Sequence, residues 1–244
     1  MEILPGVHRI ANAVSTAYLL VDDHEGLTLI DTGPGRFDRT VLAYLHQLGR
    51  QPDMVRRIIL THRHFDHSGG AAALRAATRA RVWAHPLDTP QIDGTEPNRM
   101  PKGAVGATMR VVVPIAFPWK PCPVDDSLAD GQVFSLGTLG EMRVMYTPGH
   151  TVGHCSLFLP SRRLLILGDA LNNFGGTPRV SFDAVNDDTP QARQTVIMLA
   201  EQDLDADALV FGHGKPVLTG GRDALRQAAR FAEQDEKKAA HATI

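Results

Sequence analysis

The chain has 244 residues, of which 43% are hydrophobic and 21% charged, with a formal net charge of −2 and two cysteines. This composition is that of an ordinary globular protein. A charge so close to neutral offers no basic field for nucleic acid, and no apolar run approaches the roughly 18 residues of a membrane span. The first residues lack the basic and apolar regions of a signal peptide, which together with only two thiols predicts a cytoplasmic protein.

Short apolar runs predict the β-strands of the chain. They cover residues 18–21, 27–30, 57–60, 81–84, 142–146, 155–159, 164–167 and 208–211. Apolar residues at helical spacing predict helices between and after these strands. The helices are expected over residues 37–48, closed by Gly49, over 68–78, over 189–202, with Thr189 as the N-cap, and over 221–237.

The stretch 86–122 differs from the rest because it carries many of the prolines together with Phe117 and Trp119. We interpret it as a long loop or partly helical insertion near the active site, within a single domain that spans residues 1–244. Its two aromatic side chains are candidate substrate contacts, since aromatic residues beside a polar site usually serve recognition. The alternatives are a merely variable connection, or rings that pack in the core or at a subunit interface.

Four potential metal ligands directly follow the strand predicted over 57–60, and three others each follow a further predicted strand. The seven residues are His62, His64, Asp66, His67, His150, Asp169 and His213. Histidines two residues apart point the same way along an extended chain and can bind one ion together. Asp66 and His67 follow at a turn, which can direct them to a second ion. The number and placement of these ligands therefore predict two metal ions with positions open to water.

These motifs resemble those of the metallo-β-lactamase superfamily. The matching elements are His62-x-His64-x-Asp66-His67, then His150, Asp169 and His213, with Leu29-Ile30-Asp31-Thr32-Gly33 upstream. The resemblance implies an α/β (α+β) fold, the four-layer αββα sandwich, with the metals at one edge between the sheets. It also implies how the ligands divide: His62, His64 and His150 on the first metal, Asp66, His67 and His213 on the second, and Asp169 bridging the two.

For each of three further residues near these motifs, the sequence allows two interpretations. Asp31 is implied by the resemblance to stand behind the ligands, or it is a turn residue at the end of a strand. His85 follows a predicted strand and His154 lies four residues after His150. Each of these two histidines either orients a ligand or is simply half-buried.

Several departures narrow the function that the resemblance implies. Dedicated β-lactamases of the superfamily typically lack the bridging aspartate that stands here as Asp169, and they are exported. Only residues 214–244 follow His213, so the helical, basic glutathione-binding domain of glyoxalase II members has no counterpart. Lactonases of the superfamily share the run Thr147-Pro148-Gly149-His150-Thr151. They carry a tyrosine three residues after the bridging aspartate, where this chain has Asn172, a candidate hydrogen-bond donor to the substrate.

The expected activity is hydrolysis of a small ester, lactone or thioester. A hydroxide held between two divalent ions is available near neutral pH and attacks a carbonyl polarised by one of them. Asp66 would move the proton to the leaving group, and Asp169 would hold both ions. Nitrogen and oxygen ligands favour zinc, with iron or manganese as alternatives. The other candidate activities are β-lactam hydrolysis and, from a different class, persulfide oxidation at a single iron. The partner is a small molecule, and the acyl group, leaving group and oligomeric state stay open.

Overall fold

The computed structural model describes residues 1–22, 26–99 and 103–242. Its strands form two sheets. In the described part of the chain, the first sheet has seven strands in the order of the sequence: β1 Glu2–Leu4, β2 Val7–Ala11, β3 Thr16–Asp22, β4 Gly26–Ile30, β5 Val55–Ile59, β6 Arg81–Ala84 and β7 Asp126–Ser127. Neighbours are antiparallel from β1 to β4 and parallel from β4 to β7.

The second sheet follows in the sequence and has the spatial order β12, β11, β10, β9, β8. Its strands are β8 Val133–Ser135, β9 Glu141–Tyr146, β10 Cys155–Leu159, β11 Leu164–Ile166 and β12 Ala208–Val210. Pairing is antiparallel except between β11 and β12. Strands β9, β11 and β12 therefore run in the same direction, and their carboxyl ends lie at one edge of the sheet.

The helices lie between and after these strands. The α-helices are α1 Asp38–Gln47, α2 Phe65–Ser68, α3 Ala71–Thr78, α4 Thr89–Ile92, α5 Gly103–Ala116, α6 Thr189–Glu201 and α7 Gly221–Ala242. Short 3-10 helices cover Pro52–Met54, Gly137–Leu139, Pro160–Arg162 and Asp183–Val185. Among the described helices, none is long and apolar enough to cross a membrane.

The predicted strands and helices are all present, but their ends need correction and the structure has further elements. Each of the predicted strands is present, and the structure adds β1, β2, β7 and β8. Thr189 is not the cap of α6: the side chain of Asp188 accepts from the Gln191 N–H, so the cap lies one residue earlier. A helical turn also starts at Phe65, inside the ligand run, and α7 is longer than expected. The stretch 86–122 is partly helical, with α4 and α5, while residues 100–102 lie outside the described part.

Three hydrophobic clusters confirm the four-layer αββα arrangement. The cluster between the sheets joins Tyr18 and Ile30 of the first sheet to Val144 of the second. A cluster on the outer face of the first sheet contains buried apolar residues of α1 and α3, and one on the outer face of the second contains buried apolar residues of α6 and α7. Each sheet therefore buries one face against the other sheet and one against helices.

Candidate metal centre

The seven ligands predicted from the sequence converge at the edge where strands of both sheets end. The first ligand group is His62, His64 and His150, and the second ligand group is Asp66, His67 and His213. Within each group the potential ligand atoms all lie within 4.8 Å of one another. His62 to His67 follow β5, His150 follows β9, Asp169 follows β11 and His213 follows β12. This placement brings residues that are far apart in the sequence to one point.

Asp169 stands between the two ligand groups and reaches both. Its Oδ2 atom lies 3.5 Å from Nε2 of His150 in the first group and 3.1 Å from Nε2 of His213 in the second. Its Oδ1 atom lies 3.4 Å from Nε2 of His67. A carboxylate with this reach is suited to contact two cations at once.

Some buried polar atoms of the cluster make no hydrogen bond in the described structure. Nε2 of His62 and Oδ1 of Asp169 are buried, and neither has a hydrogen-bond partner in the described structure. Nδ1 of His64 and Nε2 of His150 face each other at 2.9 Å. Because orphaned buried groups are costly and rare in native proteins, these atoms fit a bound cation, and the nitrogen and oxygen donors suit a divalent transition metal.

The other ring nitrogen of four histidines is held by a protein group. Nδ1 of His62 contacts Thr61 Oγ1 at 3.0 Å, and Nδ1 of His67 contacts Asp31 Oδ2 at 2.7 Å. The corresponding contacts are His150 to Asn186 Oδ1 at 2.9 Å and His213 to the carbonyl of Val14 at 2.7 Å. Such outer contacts fix the tautomer and orientation of metal-ligating histidines, and they turn the free nitrogen of each ring toward the cluster.

Asp31 is one of these anchors, which decides between its two interpretations. Its carboxylate accepts hydrogen bonds from the Thr61 N–H and hydroxyl as well as contacting His67. Its backbone has φ 58°, a left-handed conformation that non-glycine residues seldom adopt. In this strained conformation the Asp31 carboxylate joins the ends of β4 and β5 behind the ligands.

The histidines of the cluster have pKa values that are shifted in opposite directions. Burial and the neighbouring histidines hold the pKa of His62 and of His64 well below the usual value. Burial alone would also lower the pKa of His67 and His213, but the carboxylate of Asp169 and its neighbours outweigh burial and raise these values to about 9 and about 11. Burial would raise the pKa of Asp169, yet His67 and His213 hold it well below its usual value. Asp169 is therefore a carboxylate, as a metal ligand must be.

Gly212 leaves space in which the ligands meet. A Cβ atom at this position would lie 2.1 Å from Oδ1 of Asp169 and 2.4 Å from Cε1 of His67. Both distances are far shorter than any real contact, so only glycine fits between the end of β12 and the cluster.

His154 and His85 lie in different surroundings. His154 is fully buried, and its Nε2 accepts the backbone N–H of Asp169 at 3.0 Å while its Nδ1 contacts Thr147 Oγ1 at 2.8 Å. Burial and the nearby His150 lower its pKa to about 3, so the ring is neutral and can accept this bond. His85 instead stacks on Tyr146 with the ring centres 4.6 Å apart. Of the two, only His154 contacts a residue of the cluster in the described structure.

A cavity of about 230 Å³ opens onto the cluster. Besides five of the predicted ligands, its lining residues are Phe65, Asn98, Arg99, Asn172, Phe174, Phe182 and Val185. Phe174 and Phe182 are 66% and 72% exposed, and they project from the irregular segment between β11 and α6. Sequence reasoning missed both rings, although an irregular segment directly after a ligand such as Asp169 was the available signal.

The aromatic residues predicted to contact substrate, Phe117 and Trp119, are not among the residues that line the cavity in the described structure. Phe117 packs against Phe65, with ring centres 5.9 Å apart, and Phe65 forms the cavity wall in front of it. Trp119 is half-buried and is not among the lining residues of the cavity in the described structure. Among the described residues of the 86–122 stretch, Asn98 and Arg99 line the cavity.

Asn172 lines the cavity, as the sequence led us to expect, but its amide is already engaged. The Nδ2 atom donates to Ser181 Oγ at 2.7 Å, and that hydroxyl donates to the carbonyl of Asp169 at 3.0 Å. The Oδ1 atom is buried without a partner in the described structure. The Asn172 amide is therefore tied through Ser181 to the backbone of Asp169.

Comparison with known proteins agrees with the geometry. The metallo-beta-lactamase superfamily profile matches residues 12–213. The chain belongs to the metallo-beta-lactamase superfamily. It is a hydrolase of that superfamily, and a probable metallo-hydrolase, YflN of Bacillus subtilis, is 28% identical over 239 residues, which cover 88% of this chain and 86% of that protein. A hydroxyacylglutathione hydrolase of Cereibacter sphaeroides is 34% identical over 119 residues, covering 49% of this chain but 35% of that enzyme.

Solved structures of the superfamily share the fold. A metallo-beta-lactamase family protein from Thermus thermophilus superposes with a TM-score of 0.69 at 26% identity, over 97% of this chain and 81% of that one. A metallo-beta-lactamase from Cronobacter sakazakii gives a TM-score of 0.74 at 22% identity, over 99% and 94% of the two chains. At this low identity the second likeness shows the fold alone.

Proposed function

We propose that the protein hydrolyses a small carboxylic ester, lactone or thioester with two divalent metal ions, zinc being favoured by the donor set. The observation that carries the proposal is the reach of Asp169 to both ligand groups, at the floor of a cavity with apolar walls. In this proposal His62, His64 and His150 hold the first ion, Asp66, His67 and His213 hold the second, and Asp169 contacts both. Two buried, unpaired cysteines are consistent with a cytoplasmic location.

When bound, such ions supply a nucleophile from water near neutral pH and polarise the scissile carbonyl. The protein residues position and complete this chemistry. Asp66 lines the cavity and lies 3.2 Å from Nε2 of His213, and 15% of its side chain is exposed. A carboxylate at the boundary between cluster and cavity can pass a proton to the leaving group. Asp66 is therefore proposed as the proton carrier.

The walls of the cavity indicate the shape of the substrate. Phe65, Phe174 and Phe182 offer apolar contact beside the cluster, which suits an acyl or alkyl group of modest size.

The helix that follows His213 packs into the hydrophobic core. Helix α7 places Leu225 and Ala228 in the cluster that also contains Val196 and Leu199 of α6. A thioester substrate would therefore have to be recognised by the cavity itself and not by this helix. β-Lactam hydrolysis stays the alternative within the same chemistry.

The test is a substrate comparison with metal analysis. The metal content of the protein as purified is measured, and zinc-loaded protein is then assayed on an ester, a lactone, a thioester and a β-lactam. We expect two ions per chain, turnover of the first three classes and loss of most activity in Asp66→Asn, with the first ion retained. A single iron per chain together with oxygen consumption would contradict the proposal in favour of a dioxygenase, and a β-lactam as the best substrate would contradict the ester assignment.

A further inference from the structure

A buried arginine lies between two histidines of the first ligand group. Arg63 is 1% exposed, and its guanidinium donates to three side chains: Nε to Gln91 Oε1 at 2.8 Å, Nη1 to Asp88 Oδ1 at 3.3 Å and Nη2 to Asp187 Oδ1 at 2.7 Å. A buried charge is tolerated only when it is paired and hydrogen-bonded. These contacts join the segment that carries His64 to two other loops.

Asp88 is the centre of this network. It is fully buried, and its Oδ2 accepts the Arg63 backbone N–H at 3.0 Å and the Thr151 hydroxyl at 2.6 Å. Its Oδ1 accepts the Gly153 N–H at 2.9 Å in addition to the Arg63 guanidinium. A Cβ at Gly153 would lie 2.7 Å from Asp88 Cγ, so the loop approaches as closely as glycine permits. One carboxylate thus ties the loop that carries His64 to the loop that carries His150.

Asp187 ties the same two loops from the other side. Its Oδ1 accepts from Arg63, and its Oδ2 accepts the Val152 N–H at 2.9 Å. The backbone N–H of Asp187 donates to the carbonyl of His150 at 3.0 Å, and the preceding Asn186 contacts the His150 ring. Arg63 is therefore held between two carboxylates, each of which also binds the segment next to His150.

The second ligand group has different supports. His67 is held by Asp31, and His213 by the carbonyl of Val14. The backbone of Asp66 accepts from Ser15, and the backbone of His67 accepts from Thr32. These partners come from the first sheet and its turns, and none of the hydrogen bonds described above for Arg63, Asp88 and Asp187 reaches them.

We propose that Arg63 and Asp88 are positioning residues that set the geometry of the first ligand group and leave the second to the sheet. The inference rests on the proposed dinuclear centre. Outer contacts of metal ligands typically change affinity by about 10–100-fold when they are lost. Disturbing the Arg63–Asp88 pair should therefore weaken one of two ions selectively, which a general loss of stability would not do.

The experiment measures zinc affinities of the wild type and of Asp88→Asn by competition with a chelating indicator, and repeats the comparison with cobalt to follow the ligand-field spectrum. Asn keeps the shape of Asp88 but presents N–H groups to two of its donors. We expect about 10–100-fold weaker binding of one ion, with the other within about threefold. Asp126→Asn is the matched control, because Asp126 also pairs with an arginine: it accepts two hydrogen bonds from Arg81, at 2.6 and 2.7 Å, but at a more exposed position.

Two single-site backgrounds identify the ion. His213→Ala removes a ligand of the second group, so the ion that this variant still binds is the one held by the first group. Adding Asp88→Asn must weaken the binding of that ion. His150→Ala removes a ligand of the first group, and there Asp88→Asn must have little effect. Equal weakening in both backgrounds, or none in the His213→Ala background, would overturn the inference.

A milder variant covers the case in which Asp88→Asn does not fold. Thr151→Val deletes one hydrogen bond to Asp88 with little change of volume, and we expect a smaller loss, about 3–10-fold, at the same ion. A loss spread over both ions, or none, would refute the inference. A wild type with a single ion would instead refute the dinuclear centre. The inference would then be decided on that ion, which Thr151→Val must weaken and His213→Ala must not.

Discussion

Asp31 offers a sharp test of how the second ligand group is held. Its Oδ2 contacts Nδ1 of His67 at 2.7 Å and accepts the Thr61 hydroxyl at 2.8 Å, while its Oδ1 accepts the Thr61 N–H at 2.7 Å. In Asp31→Asn the oxygen can keep the Thr61 N–H, which places the amide nitrogen against His67. A histidine that binds metal through Nε2 carries its proton on Nδ1, so two donors would then face each other.

The expected magnitude follows from the loss of that one anchor. Loss of an outer partner of a metal-ligating histidine costs about 10–100-fold in affinity, which corresponds to about 1.4–2.7 kcal/mol. The second ion should weaken by this factor, and the first should weaken less, because His62 contacts Thr61 and not Asp31. Activity at limiting zinc should fall in proportion to occupancy and recover in part when zinc is added in excess.

A matched control separates this effect from general destabilisation. Asp22 is also buried, lies at the far end of β3, and accepts both the N–H and the hydroxyl of Thr138. Asp22→Asn should therefore cost stability and leave both zinc affinities within about threefold. Calorimetric zinc titration and thermal unfolding of the two variants decide the matter. Unchanged zinc binding in Asp31→Asn, or equal losses in both variants, would show that the orientation of His67 does not depend on Asp31.

Further variants and reagents test other parts of the site. Gly212→Ala should weaken zinc binding at least about tenfold, because the added Cβ would lie 2.1 Å from Oδ1 of Asp169. Gly175→Ala is the control and should leave zinc binding unchanged, because a Cβ there meets no other atom. Equal zinc affinities in the two variants would contradict the packing argument. Phe182→Ala should raise KM for apolar acyl substrates about 3–10-fold, with stability changed by less than about 0.5 kcal/mol; an unchanged KM would remove this ring from the substrate site. Burial raises the pKa of the Cys122 thiol to about 11 and that of Cys155 further, so at pH 8 only about one Cys122 in a thousand is thiolate. Both thiols should resist a disulfide reagent until denaturant is added, and rapid labelling of the native protein would contradict their burial.

The convergence of the seven candidate ligands could be predicted from sequence because two local signals coincide at each of them. A metal-binding residue type stands directly after an apolar run, and strands that end at one edge bring such residues together. The anchors behind the ligands carry no such signal. Val14 contributes a backbone carbonyl, and Asn186 lies in an irregular segment, so their roles appear only when distant parts of the chain are packed together. Asp31 was recognisable only as part of a familiar motif.

The strands that escaped prediction are short or partly exposed. Strand β8 alternates between exposed and buried residues over three positions, and β7 has two residues. Such segments are set by pairing with a neighbouring strand rather than by their own pattern. The residues that line the cavity could not be predicted for a similar reason. Aromatic residues occur both in the 86–122 stretch and in the segment between β11 and α6. Composition alone could not tell that Phe174 and Phe182 line the cavity while Phe117 packs behind Phe65.

The loops that hold the first ligand group also build the substrate wall. Gln91 Oε1 accepts from the Arg63 guanidinium and from the backbone N–H of Arg99, a cavity residue. Val185, another cavity residue, lies two positions before Asp187, which contacts Arg63. A change in either loop that admits a different substrate therefore also disturbs the hydrogen bonds that position His64 and His150. The rings of His67 and His213 are held by Asp31 and Val14, so changes in these two loops should alter the affinity for the first ion more than that for the second.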